Sequence, residues 1–165
     1  MPARTVTRTV PYPPERLFDL VADVEHYPLF VPNWAAARII RHIPGGYQTD
    51  QIVRFGPLRE EFVTETHLEK PHAITVTAVK GPFDHLQILW SFTAVPDGAC
   101  HIALTVDVEL RSRALQVASR IMAGDSAERM VHAFEERARH VYGPPDTAAA
   151  AAARAADAGH VDPGA

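Results

Sequence analysis

Apolar and polar residues alternate along most of this chain, and only near its C-terminal third does the period change to that of a helix. Thr5 to Val10 alternates with β-branched residues, is closed by Pro11, and predicts a first strand. Pro13 and Pro14 then open a short helix with Leu17, Phe18, Leu20 and Val21 on its apolar face. Proline is tolerated there because first-turn N–H groups lack intrahelical partners. A second helical turn is expected over Val24 to Phe30, capped by Asp23. The stretch from Tyr27 to Trp34 is apolar, aromatic and broken by Pro28 and Pro32, which suits either a core plug or the rim of a pocket.

Six more strands are predicted by alternation between turn signals: Ala36 to Ile43, Tyr47 to Phe55, Leu58 to Glu69, Ala73 to Val79, His85 to Val95 and Cys100 to Leu110. Pro44-Gly45-Gly46, Gly56-Pro57, Lys70-Pro71, Lys80-Gly81-Pro82 and Pro96-Asp97-Gly98 separate them. Short connections between consecutive strands make an antiparallel meander. Parity puts Leu86, Ile88, Trp90, Phe92 and Ala94 on one face, and Cys100, Ile102, Leu104, Val106 and Val108 on one face of the next strand. His85, Gln87, His101, Asp107 and Glu109 fall on the opposite, solvent-facing side.

An apolar sheet face needs a cover, and the one run of matching length is Ser112 to Tyr142. Val117, Ile121, Met130, Phe134, Ala138 and Val141 form its apolar stripe, Ser112 can cap it, and Gly143-Pro144-Pro145 stops it. Gly124-Asp125-Ser126 predicts a bend that divides it. The second part is expected to plug the sheet, and the first to be the movable side of a cavity mouth opposite Tyr27 to Trp34. The fold class is therefore α+β: a curved antiparallel sheet of about seven strands around a long C-terminal helix, with two short helices between strands one and two. After residue 143 the composition turns to Ala, Pro, Asp and Gly, including Ala148 to Ala153, and predicts a disordered tail over 144–165 behind a domain of residues 1–143.

Composition narrows the chemistry. The 165 residues are 47% hydrophobic and 22% charged with a formal net charge of −4, which suits one globular domain and disfavours broad nucleic-acid binding; no specific DNA binding is expected. Cys100, the single cysteine, permits no intramolecular disulfide and sits in an apolar run, as a buried thiol would. The N-terminus carries no apolar signal-peptide core, and a cytoplasmic protein is expected, at most peripheral at the inner face of a membrane. Nine histidines show no His-Glu-x-x-His or comparable spacing, so no metal site is expected. No nucleophile elbow, Gly-rich phosphate loop or paired carboxylate is present either, and Glu60 is the one carboxylate whose parity points inward.

The run from Leu17 through Asp23-Val24-Glu25-His26-Tyr27-Pro28 to Pro32, the run Gly81-Pro82-Phe83-Asp84-His85-Leu86 with Trp90 and Phe92, and Phe134-Glu135-Glu136-Arg137-Ala138 stand in that order. Together they resemble the coenzyme-Q-binding START-like family of the polyketide cyclase and lipid-transport superfamily, over roughly residues 3–143. The resemblance implies a helix-grip fold and non-enzymatic binding of ubiquinone or a similar isoprenoid lipid, in support of respiratory electron transport, with no catalytic cofactor. Some bacterial members are named as ribosome-association toxins, which implies the large ribosomal subunit as an alternative partner; a cyclase-like enzyme acting on an apolar substrate is the third reading. The chain departs from its relatives at Pro32-Asn33-Trp34-Ala35, where Asn33 is inserted and a cysteine is missing.

In such a fold the inward faces are either plain core or the wall of a ligand cavity. The candidate ligand-binding residues are Phe30 and Trp34 at the rim, Phe62, Phe83, Leu86, Ile88, Trp90 and Leu104 on the strands, and Val117 and Ile121 on the helix. Thr49, Gln51 and Thr64 share the inward parity and need partners, waters or a ligand headgroup there; backbone hydrogen bonds or a bulge are the alternative. Arg111, Arg113 and Arg120, without a neighbouring acid between Leu110 and Gly124, make either a solvated face or a site of transient membrane-surface contact.

Overall fold

Seven strands hydrogen-bond into one antiparallel sheet in the order β1-β7-β6-β5-β4-β3-β2. They are β1 (Arg4–Val10), β2 (Trp34–Ile43), β3 (Gly46–Phe55), β4 (Leu58–Glu69), β5 (Ala73–Lys80), β6 (Phe83–Val95) and β7 (Ala99–Leu110). This computed structural model describes residues 3–113, 116 and 126–158. The meander from β2 to β7 follows the turn signals, and β1 closes the far edge by pairing with β7 from Arg4↔Val106 to Val10↔Cys100. Helix α1 (Pro14–Ala22) and a 3-10 helix (Val24–Leu29) connect β1 to β2, as the two proline-opened segments predict. Asp23 does not cap the 3-10 helix through its side chain; its carboxylate meets His26 Nδ1 at 2.6 Å instead.

Helix α2 (Ser126–Tyr142) packs against α1 and against strands β1 and β7. Its buried side is Ala127, Val131, Phe134, Glu135 and Ala138. Val141, expected in the stripe, is 47% exposed although it lies two turns from Phe134 on the same side; it stands in the last turn of α2. The Phe134 ring packs edge-on within 5.1–5.3 Å of Phe30, Trp90 and Tyr27, an aromatic knot joining α2, the 3-10 segment and β6. The predicted bend at Gly124-Asp125 and the helical run before it lie outside the described residues.

Glu135 is 3% exposed, which an unpaired carboxylate would not tolerate. It meets Arg8 of β1 through Oε2 and Arg139 through Oε1 at 3.4 Å, and so ties α2 to the edge strand. On the outward side His85, exposed as parity predicts, contacts Asp107 at 3.1 Å, whereas His101 contacts the buried Thr9 at 3.2 Å and is half-buried rather than open to water.

The C-terminal segment corrects the expectation of a disordered tail. Residues Thr147–Ala158 form helix α3, which lies against β1, β7 and the Pro96–Gly98 turn. Ala149 and Ala153, four residues apart, are buried against the sheet, and Asp157 Oδ1 accepts a 3.0 Å hydrogen bond from the Thr9 N–H. Low complexity disguised the contact: methyl side chains let a helix backbone lie close to an edge strand, and the carboxylate satisfies an N–H that the edge leaves open.

Candidate functional site

Beneath the helices the sheet does not close on itself. Between α2, the 3-10 segment and strands β3 to β7 lies a cavity of about 590 Å³. Its walls are mostly apolar: Ile74 and Val76 from β5, Leu86, Ile88 and Trp90 from β6, Val106 and Val108 from β7, and Met130 and Ala127 from α2. Val76, Ile88 and Val106 occupy one row of the ladder across three strands, so alternation alone aims all three inward. Only a large, curved sheet leaves this row without a facing layer of side chains.

Polar groups interrupt this wall: Arg4 and Arg129 belong to the lining, and a neutral cluster sits on β3 and β4. Gln51 on β3 accepts a 2.7 Å hydrogen bond from Trp34 Nε1 at its Oε1 and donates from Nε2 to Thr64 Oγ1 on β4 at 2.8 Å. Gln51 and Thr64 are 5% and 1% exposed, so water is largely excluded from this cluster. The amide keeps one N–H and the Thr64 hydroxyl keeps its hydrogen for a further acceptor. Two tyrosines also line the cavity. Tyr27 donates its hydroxyl to the Val21 carbonyl and Tyr47 donates to the Ala22 carbonyl at 2.6 Å, which fastens the end of α1 over the cavity. Burial pushes both phenols above the ordinary tyrosine value, most strongly Tyr27, so they stay neutral hydrogen-bond donors.

Most of the residues expected from the sequence meet here. Trp34, Gln51, Phe62, Thr64, Phe83, Leu86, Ile88 and Trp90 all line the cavity. Three do not. Phe30 turns onto Phe134 and Tyr27 and carries the Arg137 guanidinium 5.1 Å above its ring, so it serves the packing of α2. Leu104 is fully buried behind the wall, next to the α1 side of the core. Thr49 has the inward parity but is enclosed by neighbouring side chains, and its buried Oγ1 has no hydrogen-bond partner. Val117, Ile121 and Arg120 lie outside the described residues. Arg111 contacts Asp84 at 3.4 Å and the Phe83 carbonyl at 3.3 Å, while Arg113 is exposed. Glu60 shares the face of Phe62 but lies at the strand end, outside the cavity lining.

Sequence reasoning missed Val21, Val24 and Val31 as wall residues, because their helical or irregular segments carry no parity. Asn33, where the chain departs from its relatives, also lines the cavity. It adopts a positive φ of 72°, a conformation asparagine tolerates, and its carbonyl accepts from the Arg54 N–H at 2.8 Å, so the extra residue is absorbed in a turn at the rim. Among the described residues no group of His, Cys, Asp and Glu could hold a metal ion, and no helix is long and apolar enough to cross a membrane. The described lining contains no carboxylate and no imidazole.

Comparison with known proteins agrees with this geometry. The chain is 33% identical over 142 residues to the ribosome association toxin RatA of Escherichia coli K12, covering 86% of this chain and 90% of that one. It is 28% identical over 144 residues to the mitochondrial coenzyme Q-binding protein COQ10 homolog B of Xenopus laevis, covering 85% of this chain and 59% of that longer one. The solution structure of an 18 kDa protein from Caulobacter crescentus superposes with a TM-score of 0.70 at 30% identity, over 87% of this chain and 100% of that one. Residues 10–135 match the family described as polyketide cyclase / dehydrase and lipid transport, and with its seven-stranded curved sheet and C-terminal helices the chain belongs to that START-like family.

Proposed function

We propose that this protein binds an isoprenoid quinone of the ubiquinone type in the central cavity, without chemical conversion. The observation that carries the reading is the pairing of a large apolar space with one amide and hydroxyl cluster, Trp34, Gln51 and Thr64, set in its wall. A quinone ring presents carbonyl acceptors to the spare Gln51 and Thr64 hydrogens, and its isoprenoid tail suits the row Val76, Ile88 and Val106. A fatty acid would instead bring a carboxylate, which Arg4 and Arg129 of the lining, rather than this neutral cluster, would meet. The similarity to a protein named as coenzyme Q-binding supports the same ligand class. A role in respiratory electron transport follows if the cargo is ubiquinone.

Organic extraction and native mass spectrometry of the protein from a quinone-replete host test the reading. The expected result is a quinone in stoichiometric amount, or its uptake when added; repeated preparations that neither carry nor take up quinone overturn it.

The similarity to RatA favours a second reading, association with the large ribosomal subunit. Sucrose-gradient profiles with and without overexpression decide it, since unchanged subunit joining removes it.

A further inference from the structure

Strands β5 and β6 begin as a regular pair and then part. Their ladder runs from Ala73↔Ser91 to Thr77↔Gln87, and beyond it no residue of Ala78–Lys80 pairs with Phe83–Leu86. Each strand stays attached on its other side, β5 to β4 through Val63↔Lys80 and β6 to β7 through Phe83↔Leu110, so the sheet holds a breach between two bonded halves. The turn over this breach is drawn inward. Gly81 has a φ of 149° and lies so close to β4 that an added Cβ would stand 2.6 Å from the Phe62 Cβ. Phe83 follows it and packs edge-on against Phe62 at 5.3 Å.

The breach opens outward as a cleft of about 380 Å³, separate from the central cavity. Its polar lining comes from Thr77, Lys80, Asp84, His85, Gln87 and Arg111. Lys80 has no hydrogen-bond or ion-pair partner among the described residues, and Arg111 makes only long contacts of 3.3–3.4 Å to Asp84 and Phe83. His85 uses Nε2 toward Asp107, which leaves Nδ1 open, and Gln87 brings an amide. Arg111 is paired with Asp84 and His85 faces Asp107, so Lys80 is the cation without an ion-pair partner among the described residues; it favours an anion, and backbone N–H groups freed by the missing ladder add donors. Phe83 and Leu86 line both spaces, so a single layer of side chains divides the cleft from the cavity.

We propose that this cleft binds a phosphate group, and that when the phosphate belongs to a lipid, its chain passes Phe83 into the central cavity. The second half rests on the lipid-binding reading above, while the first does not. Phosphate fits because its several acceptor oxygens can engage an ammonium, a guanidinium and backbone N–H groups at once, whereas a quinone ring carries no charge for them.

The test is an amide NMR titration of the full chain with three probes: inorganic phosphate, farnesyl monophosphate and farnesol. Inorganic phosphate is expected to shift signals of Lys80, His85 and Gln87 alone; farnesyl monophosphate shifts these together with Phe62 and Trp90; farnesol shifts cavity signals alone. Lys80→Gln, at an exposed position, should weaken both phosphates about tenfold and leave farnesol unchanged. Phosphates that leave the cleft signals still, or that bind Lys80→Gln as well as the parent, overturn the proposal. Farnesyl monophosphate that shifts the cleft without the cavity overturns the passage at Phe83 and identifies the source as free phosphate. Farnesol that moves nothing is a failure of the central-cavity reading, and the inorganic phosphate response still decides the cleft.

Discussion

Trp34, the first residue of β2, donates its indole N–H to the Gln51 side chain in the middle of β3 over 2.7 Å. The bond couples the irregular rim to the regular wall, and it fixes which end of the amide faces Trp34. With Oε1 so engaged, Nε2 has to point along the wall toward Thr64 and the cavity. Replacing Gln51 by Leu is expected to raise the Kd for a quinone about tenfold through loss of one neutral hydrogen bond and an orphaned indole N–H. Binding of an isoprenoid without polar groups should change little. Isothermal titration with both ligands checks this; equal losses would show that Gln51 only shapes the wall.

Val106 is a partly buried wall residue in the same row as Ile88. Overpacking a filled core costs about 1–3 kcal/mol, but here the extra volume has a cavity to enter. Val106→Trp should therefore keep its urea midpoint within error of the parent and lose ligand binding. A large drop in midpoint with binding intact would mean that the space is already filled by side chains.

Glu135 is buried, while its partners Arg8 and Arg139 are 46% and 44% exposed at the side chain. Solvent around the guanidinium groups puts the pair between surface and interior ion pairs, so Glu135→Gln should cost about 2 kcal/mol of unfolding free energy. Denaturant unfolding measures it. Because the carboxylate joins β1 to α2, Arg8→Met in the Glu135→Gln background should cost less than Arg8→Met alone.

Burial raises the folded-state pKa of Cys100 to about 12 and that of Tyr27 and Tyr47 above the usual phenol value. In the unfolded chain the thiol titrates near 9.0 and the phenols near 10.0. The unfolded state then releases protons that the folded state keeps, and stability falls as pH rises from about 9 through the folded-state values. Thermal melting between pH 7 and 11 should show a constant midpoint below pH 8 and a steady loss above pH 9. Cys100 should react with a thiol reagent at pH 8 only at the rate of unfolding.

Asp157 caps the Thr9 N–H from α3. Asp157→Ala should cost about 1 kcal/mol and speed amide exchange at Thr9, because a hydrogen bond at an open strand edge is lost. Unchanged exchange at Thr9 would mean that α3 does not rest on β1 in solution.

Sequence by itself determined the strands, the turns and the inward faces. Leu58–Glu69 begins and ends where alternation and Gly56-Pro57 and Lys70-Pro71 place it, and Leu86, Ile88 and Trp90 point inward as parity requires. Such features are local, set by a period of two and by residues that force a turn. Tertiary structure alone decided which inward residues face space. Thr49 and Thr64 are direct partners across β3 and β4 with the same parity, yet only Thr64 lines the cavity while Thr49 is wholly enclosed, a difference that side-chain packing decides and alternation cannot. The same holds for the alanine run: propensity made a helix available, but only the proximity of the β1 edge and the reach of Asp157 to Thr9 gave that helix a surface to rest on.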